Sequence, residues 1–259
     1  ETIITYSFPG STAIFADNYG DEVTDGFKAF TDTHIAATRL VLQEYSNIAN
    51  LKFVEIAEIG SSVGTLRFTF TDHDKINTDV TPNTNSWGWA MGPYNQPNGG
   101  DIWVDSEHST ADAMWGQGTS YNFASLIHEI GHSLGLDHPF SGVDTLATNE
   151  DFVNYTTMSY TQPSDFAAWI GYGSEAQYML STSPMVYDIA AIQHLYGAAE
   201  YNHGDTIYKY DPAKPVSEAI WDSGGTDTLD FSDFTLSCSV NLAPGGYSTI
   251  AFTGWTMTD

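Results

Sequence analysis

Cysteine, basic residues and long apolar runs are all scarce in this sequence of 259 residues. The single cysteine, Cys238, excludes an internal disulfide, so stability must come from a buried core, a bound metal or both. Only 7 Lys and Arg stand against 33 Asp and Glu, and the formal net charge of −26 opposes binding to nucleic acid or to an anionic membrane surface. No run of about 18 apolar residues is present, so no membrane span is expected.

What the chain does contain indicates a globular protein. Hydrophobic residues make up 41% and aromatic residues 14%, enough for a sizeable core. The excess of carboxylates has three interpretations: solubility, calcium coordination, or function in salt water. The chain begins at Glu1 without a methionine or an export-signal pattern, so we expect a processed or trimmed chain whose export signal lies outside it.

Hydrophobic periodicity predicts an α+β fold followed by a β-rich end. The first part is predicted to contain strands at 1–8, 51–58, 65–72, 86–92 and 101–105 and helices at 22–48, 120–134 and 184–196. Beyond Gly197 only short β-type runs remain, at 207–210, 219–221, 228–231, 239–242 and 249–252. We therefore predict a domain over 1–200, with a twisted mixed sheet of five strands and three helices, and a short β-rich C-terminal piece over 201–259.

The strongest motif is HEIGHSLGLDH, which fits HExxHxxGxxH. On a helix, His128 and His132 project from one face one turn apart, where two imidazoles can reach one ion. Gly135 tolerates the left-handed conformation that ends a helix, so the chain can turn and return His138 as a third ligand. Three neutral imidazoles leave a position on Zn²⁺ open for water, which is typical of a hydrolytic site.

Three further residues complete the predicted catalytic centre. Glu129 lies beside the histidines but is rotated away from the metal, so it is predicted to be the general base that takes a proton from the attacking water. In the segment TTMSYT, Met158 alone would be read as a core residue, but after a zinc motif it is predicted to form an apolar floor beneath the histidines. Tyr160 is predicted to place its phenol at the metal, as a weak fifth ligand that can move away and bind an oxyanion.

These motifs together resemble the metzincin clan of zinc peptidases. HEIGHSLGLDHP, TTMSY, MVYDIAAIQHLYGA and IWDSGGTDTLDFSDF are similar to the serralysin subfamily of secreted bacterial proteases, and the resemblance covers roughly residues 86–242. It implies three histidine ligands to zinc (His128, His132 and His138), Tyr160 as a flexible fifth ligand, and Glu129 as the base. It also implies a Ca²⁺ site whose ligands are Asn202, Gly204, Thr206, Asp222, Gly224 and Asp227.

The C-terminal end departs from the serralysin pattern. That subfamily has a longer β-roll of nine-residue GGxGxDxUx repeats, of which only GGTDTLDF (Gly224–Phe231) is a weak relative here. The chain is therefore expected to stop before or early in the β-roll. Ordinary turns remain the alternative interpretation of the Asp and Gly runs.

The predicted substrate-binding segment is an exposed edge strand at Trp87, Gly88, Trp89 and Ala90, which would hold an extended peptide by β-augmentation. Core tryptophans are the alternative. The predicted function is a secreted zinc endopeptidase that acts on proteins or peptides. It is expected to be a monomer, outside a bacterial cell, with cell-surface association as a second option. A surface-layer or other interaction module is the alternative from another class.

Overall fold

The computed structural model gives the architecture of most of the chain. It describes residues 1–17, 19, 21–75, 86–110, 115–116, 120–163, 167–170, 177–253 and 255–257. None of the helices in these ranges combines the length and the apolar character that crossing a lipid bilayer requires.

A mixed five-stranded sheet forms the frame of the N-terminal part, in the order β2-β1-β3-β5-β4. The strands are β1 (Thr2–Ser7), β2 (Leu51–Glu55), β3 (Leu66–Thr71), β4 (Gly88–Ala90) and β5 (Ile102–Asp105). β1, β2, β3 and β5 run parallel, whereas β4 runs antiparallel to β5 at one edge. The predicted α+β fold with a mixed sheet of five strands is confirmed.

Strand β3 lies at the centre of the sheet, and all six of its residues are buried. Continuous burial is typical of a parallel strand that is covered on both faces. Phe68 and Phe70 face the main core. On the opposite face the guanidinium of Arg67 lies 4.0 Å from the ring centre of Phe15 and pairs with Glu58 at 2.8 Å. The N-terminal loop therefore covers the face that the helices leave open.

Three α-helices are present in the described residues: α1 (Asp32–Ile48), α2 (Tyr121–Ser133) and α3 (Val186–Tyr196). α1 and α2 pack against each other and against the sheet. The fully buried Tyr45 of α1 donates a hydrogen bond of 2.9 Å from its hydroxyl to the carbonyl of Ile127 on α2. This bond fixes α2 relative to the core.

The predicted helix over 22–48 is wrong in its first third. Only a short 3₁₀ turn forms at Asp21–Val23, and α1 begins at Asp32. Lys28 instead pairs with Phe70 of β3 in an antiparallel bridge, so this stretch is extended. Gly26 has a φ of +82°, and a side chain there would overlap Asp72. Pairing with the sheet therefore outweighed the helical spacing of the apolar residues.

The region after α2 contains small sheets. Strands β6 (Ala167–Ile170) and β7 (Gln177–Tyr178) form a hairpin that joins β12 (Trp255–Met257) in one antiparallel sheet, and the sequence predicted neither β6 nor β7. The other small sheets pair β8 (Ile207–Lys209) in parallel with β9 (Thr228–Asp230) and β10 (Cys238–Ser239) antiparallel to β11 (Thr249–Ile250). The predicted run at 219–221 is not a strand.

Candidate metal centre and substrate cleft

Helix α2 presents two of the predicted metal ligands. Its apolar residues at 123, 126, 127 and 130 are fully buried and recur at helical spacing, which fixes the rotation of the helix about its axis. His128 and His132, one turn apart, are directed by that rotation towards a common point. Their Nε2 atoms stand 3.1 Å apart.

A Schellman motif ends α2 and turns the chain back towards this point. The backbone N–H of Leu136 donates to the carbonyl of Gly131 at 3.0 Å, and that of Gly135 donates to the carbonyl of His132 at 2.9 Å. Gly135 has a φ of +101°, which disfavours any residue with a side chain. The turn brings His138 back beside α2, as the sequence predicted.

The three histidines form a nearly equilateral triangle. Their Nε2 atoms are 3.1, 3.1 and 3.2 Å apart. The centre of such a triangle lies about 1.8 Å from each nitrogen and a Zn–N bond measures about 2.0–2.1 Å, so an ion bonded to all three fits just off their plane. Across the described ranges, no other group of His, Cys, Asp or Glu side chains is close enough for three of them to share an ion.

Backbone carbonyls orient two of the rings. The Nδ1 of His128 lies 2.8 Å from the carbonyl oxygen of Thr157, and the Nδ1 of His132 lies 2.7 Å from that of Leu136. Since a carbonyl only accepts, each Nδ1 carries the proton and each Nε2 directs a lone pair inwards. Burial lowers the pKa of His128 to about 3 and also lowers the pKa of His132 and His138. All three rings are therefore neutral, which is the form that binds a metal.

Glu129 lies next to the triangle and is 7% exposed. Burial raises the pKa of its carboxyl to about 8, against the opposing effect of a hydrogen bond from the backbone N–H of Ala90. A dication bound at the histidines would favour the ionised form instead. The carboxyl group thus lies between the metal-facing helix and strand β4.

Met158 lies beneath α2, and its side chain is 2% exposed. A side chain added at Gly131 would approach the Met158 sulfur to 2.8 Å, so the glycine leaves room for that sulfur between the two ligand-bearing positions of the helix. Its role as an apolar floor beneath bound metal stays a prediction.

Met158 lies in a tight turn over residues 156–159, the methionine turn. A residue that was not predicted from the sequence holds this turn in place. The carboxylate of Asp188, near the start of α3, is 1% exposed. It accepts hydrogen bonds from the hydroxyl of Thr156, the hydroxyl and backbone N–H of Thr157, and the backbone N–H of Met185, at 2.6–2.9 Å. The available signal was an acid within the otherwise apolar segment MVYDIAAI.

Tyr160 reaches the metal-facing side of the triangle. Its hydroxyl oxygen lies 2.7 Å from the Nε2 of His138. Its ring stacks on that of His128, with centroids 5.5 Å apart, and the side chain is 66% exposed. Phe140, which the sequence analysis also missed, stacks on His138 with centroids 5.0 Å apart. The phenol therefore stands at one corner of the site, where it can approach an ion or a substrate.

Strand β4 lines one side of a cleft of about 430 Å³ that runs past His128 and Glu129. Of the predicted substrate-binding residues, Trp87 and Gly88 line the cleft, Ala90 donates to Glu129, and Trp89 stacks on His73 outside it. Trp87 is also a core residue, and its indole N–H donates to Asn122 of α2 at 2.9 Å. Trp87 is thus a core tryptophan, and substrate binding along this segment stays a prediction.

The two loops of the predicted calcium site are adjacent. The first loop carries Asn202, Gly204 and Thr206, and the second carries Asp222, Gly224 and Asp227. The backbone N–H of Thr206 donates to Asp227 at 2.9 Å, and that of Thr226 donates to Asp205 at 2.9 Å. Asn202 and Gly224 have φ values of 51° and +151°. The two loops therefore lie side by side, one leading into β8 and the other into β9.

The fold and this centre define a class of protein. A helix with two ligand histidines, a glycine turn that returns the third, and a methionine turn beneath them are together the mark of a metzincin. Comparison with known families agrees. The family model Matrixin, Peptidase M10, matches residues 22–165, and the model Peptidase M10 serralysin C terminal matches residues 187–254. The chain belongs to the M10 peptidase family and is a serralysin-like metzincin.

Curated relatives align with almost the whole chain. Serralysin B of Dickeya chrysanthemi is 29% identical over 95% of this chain and 52% of its own length. Serralysin of Proteus mirabilis and metallopeptidase AprA of Pseudomonas marginalis are each 30% identical over 95% of this chain and cover 53% and 54% of their own lengths. The chain thus spans about half the length of the curated relatives it matches.

Proposed function

We propose that this protein is a secreted zinc endopeptidase that hydrolyses proteins or peptides outside a bacterial cell. The observation that carries the proposal is the triangle of three neutral imidazoles with a carboxyl group beside it. A closed structural zinc site has four strong protein ligands, whereas the described residues bring three together here. The geometry therefore favours a catalytic centre.

His128, His132 and His138 would hold the zinc ion, and Tyr160 would add its phenolic oxygen as a weak further ligand. A zinc ion held there would supply Lewis-acid chemistry, polarising a peptide carbonyl and lowering the pKa of a bound water towards ~7. The carbonyls of Thr157 and Leu136 keep two of the rings in the tautomer that binds metal.

Glu129 would act as the general base. Its carboxylate takes a proton from the attacking water and passes it to the leaving amine. The hydrogen bond from Ala90 holds the carboxylate at the side of the cleft where a peptide bound to β4 would lie. Tyr160, at the exposed corner of the site, would donate a hydrogen bond from its phenolic O–H to the oxyanion that develops on the scissile carbonyl.

The outer edge of β4 would bind the peptide backbone. Trp87 and Met91 make hydrogen bonds towards β5, so Gly88 and Ala90 direct their backbone groups to the outer edge, where Glu129 accepts from the N–H of Ala90. There the hydroxyl of Ser86 donates to the carbonyl of Gly88 at 2.7 Å. An extended substrate can extend the sheet at this edge by β-augmentation.

The C-terminal piece would bind calcium between its two loops. Carboxylates at 222 and 227 and backbone carbonyls at 204 and 224 are the hard oxygen ligands that Ca²⁺ prefers. The side chains of Asn202 and Thr206 complete the proposed set. We keep the division into a catalytic domain over 1–200 and a C-terminal piece over 201–259, and a monomer as the working state.

Loss of the base tests the proposal directly. We expect the purified protein to clear gelatin in a zymogram, a chelator to abolish clearing, and added zinc to restore it. Glu129→Ala should retain about one zinc per chain yet lose about 10²–10⁴-fold in casein hydrolysis, because the proton-transfer group is gone. The matched control is Glu200→Ala, at an exposed position, which should keep full activity. Turnover retained in Glu129→Ala would refute the base assignment.

A further inference from the structure

The wall of the cleft that faces β4 consists of two chain segments. The first segment contains the methionine turn and contributes Val153, before the turn, and Gln162, after it. The second segment precedes α3 and contributes Leu180 and Ser181. The hydroxyl of Ser181 donates to the carbonyl of Val153 at 3.1 Å, so the two segments are joined to each other. The two segments, residues 152–163 and 179–185, contain turns and irregular backbone but no helix or strand. Contacts from other parts of the chain help to hold this wall, among them the bonds of Asp188 in α3 to Thr156, Thr157 and Met185.

The first contact of this kind comes from Tyr247. Its hydroxyl donates to the carbonyl of Asn154, the residue after Val153, at 2.7 Å. Its ring meets the edge of Tyr155, with centroids 5.1 Å apart, and Tyr155 in turn stacks on Tyr187 of α3 at 5.4 Å. One aromatic side chain of the C-terminal piece thus holds the segment that leads into the methionine turn.

The second contact is made one residue from the other lining segment. Thr182 donates to the carbonyl of Ser217 from both its backbone N–H, at 2.8 Å, and its hydroxyl, at 3.1 Å. The backbone N–H of Ala219 donates to the hydroxyl of Ser183 at 3.1 Å. Strand β12 adds a third attachment. It pairs with β6, and β6 lies between the two lining segments in the sequence. Each segment of the wall is therefore tied to the C-terminal piece.

We propose that the C-terminal piece positions this wall, with Tyr247 and Thr182 as the positioning residues, and so sets which side chain the cleft accepts beside the scissile bond. The inference rests on the proposed peptidase function. Neither residue contacts the triangle of histidines, so neither acts on the chemical step itself. A wall that is held less firmly discriminates less between a small and a large substrate side chain.

The test uses two sets of internally quenched peptides, in which alanine or leucine stands either before or after the scissile bond and all other residues are the same. The cleavage position in each is verified by mass spectrometry. Within each set, the ratio of the two kcat/KM values is compared for the wild-type chain, Tyr247→Phe and Thr182→Val. The matched control is Tyr6→Phe, which removes a hydroxyl that donates to Glu55 at 3.0 Å on the sheet, remote from the cleft. Zinc content and the thermal midpoint are measured for all four proteins.

In at least one set, we expect the ratio to move towards one by about threefold or more in Tyr247→Phe and Thr182→Val, mainly through KM, and to stay at the wild-type value in Tyr6→Phe. Zinc content should be unchanged in all of them. Ratios unchanged in both sets for both cleft variants, whether or not all rates fall equally, would overturn the inference and leave the peptidase function intact. Failure of the wild-type chain to cleave any of the peptides would instead overturn the proposed function, and this inference with it.

Discussion

Tyr160 lies at the solvent-exposed corner of the triangle of histidines. Its side chain is 66% exposed, and its ring is held mainly by stacking on His128 and contact with His138. Burial of the phenol and the negative charge of Glu129 both raise the pKa of Tyr160. The hydroxyl therefore keeps its proton at neutral pH, as a donor to a developing oxyanion requires.

Removing this hydroxyl should affect turnover more than metal binding. We expect Tyr160→Phe to lower kcat by about 10²-fold, because one donor to the transition state is lost, and to keep its zinc, because the three imidazoles remain. Steady-state kinetics and metal analysis by mass spectrometry are the measurements. Tyr94→Phe, at an exposed tyrosine outside the cleft, is the matched control. An unchanged kcat in Tyr160→Phe would remove this residue from the mechanism.

At the level of elements, α3 and the methionine turn depend on each other. Asp188 near the start of α3 binds the turn through Thr156 and Thr157, and the carbonyl of Thr157 in turn orients His128. A buried carboxylate has lost its water, so these bonds must replace its hydration. The connection runs from a helix outside the motif to a metal ligand inside it.

This arrangement predicts a large loss of stability on truncation. Asp188→Ala leaves several buried donors without an acceptor, and we expect the free energy of unfolding to fall by about 2–4 kcal/mol. Chemical denaturation of the zinc-loaded protein measures this change. Asp188→Asn keeps the size of the side chain and one acceptor oxygen, so it should lose less. Equal stability of Asp188→Ala and the wild-type chain would contradict the proposed role.

The elements themselves were partly predictable. Helix α2 could be predicted, because its apolar residues recur at helical spacing and Gly135 marks its end. The start of α1 was not, because the bridge between Lys28 and Phe70 is a contact with a distant strand. The β6–β7 hairpin also escaped prediction, since its pairing partner β12 lies at the far end of the chain.

Across the whole molecule, a formal charge of −26 makes cation binding electrostatically favourable. The two loops that lead into β8 and β9 place acidic residues on adjacent backbone, with Asp222 and Asp227 on one loop and Asp205 on the other. Because the C-terminal piece also contacts the cleft wall, an ion bound there would stabilise more than its own loops.

Calcium should therefore raise the thermal midpoint of the wild-type chain by an amount that grows with its concentration, since an ion that binds only the folded state stabilises it by mass action. Asp227→Asn removes a proposed ligand charge and should lose most of this rise. Asp144→Asn, which changes an exposed acid outside the loops, should keep it. Differential scanning calorimetry with and without calcium is the measurement. A midpoint that does not respond to calcium in the wild-type chain would refute the site.

The sequence alone determined the local parts of the centre: the spacing of His128 and His132, the glycine turn, and the return of His138. These follow from helical periodicity and from the conformations that single residues allow, which depend on near neighbours in the chain. Only the tertiary structure decided which carbonyls orient the rings, that Asp188 holds the methionine turn, and that Tyr247 contacts the segment before that turn. Those contacts join residues far apart in the chain, and it is the packing of the whole core that brings them together.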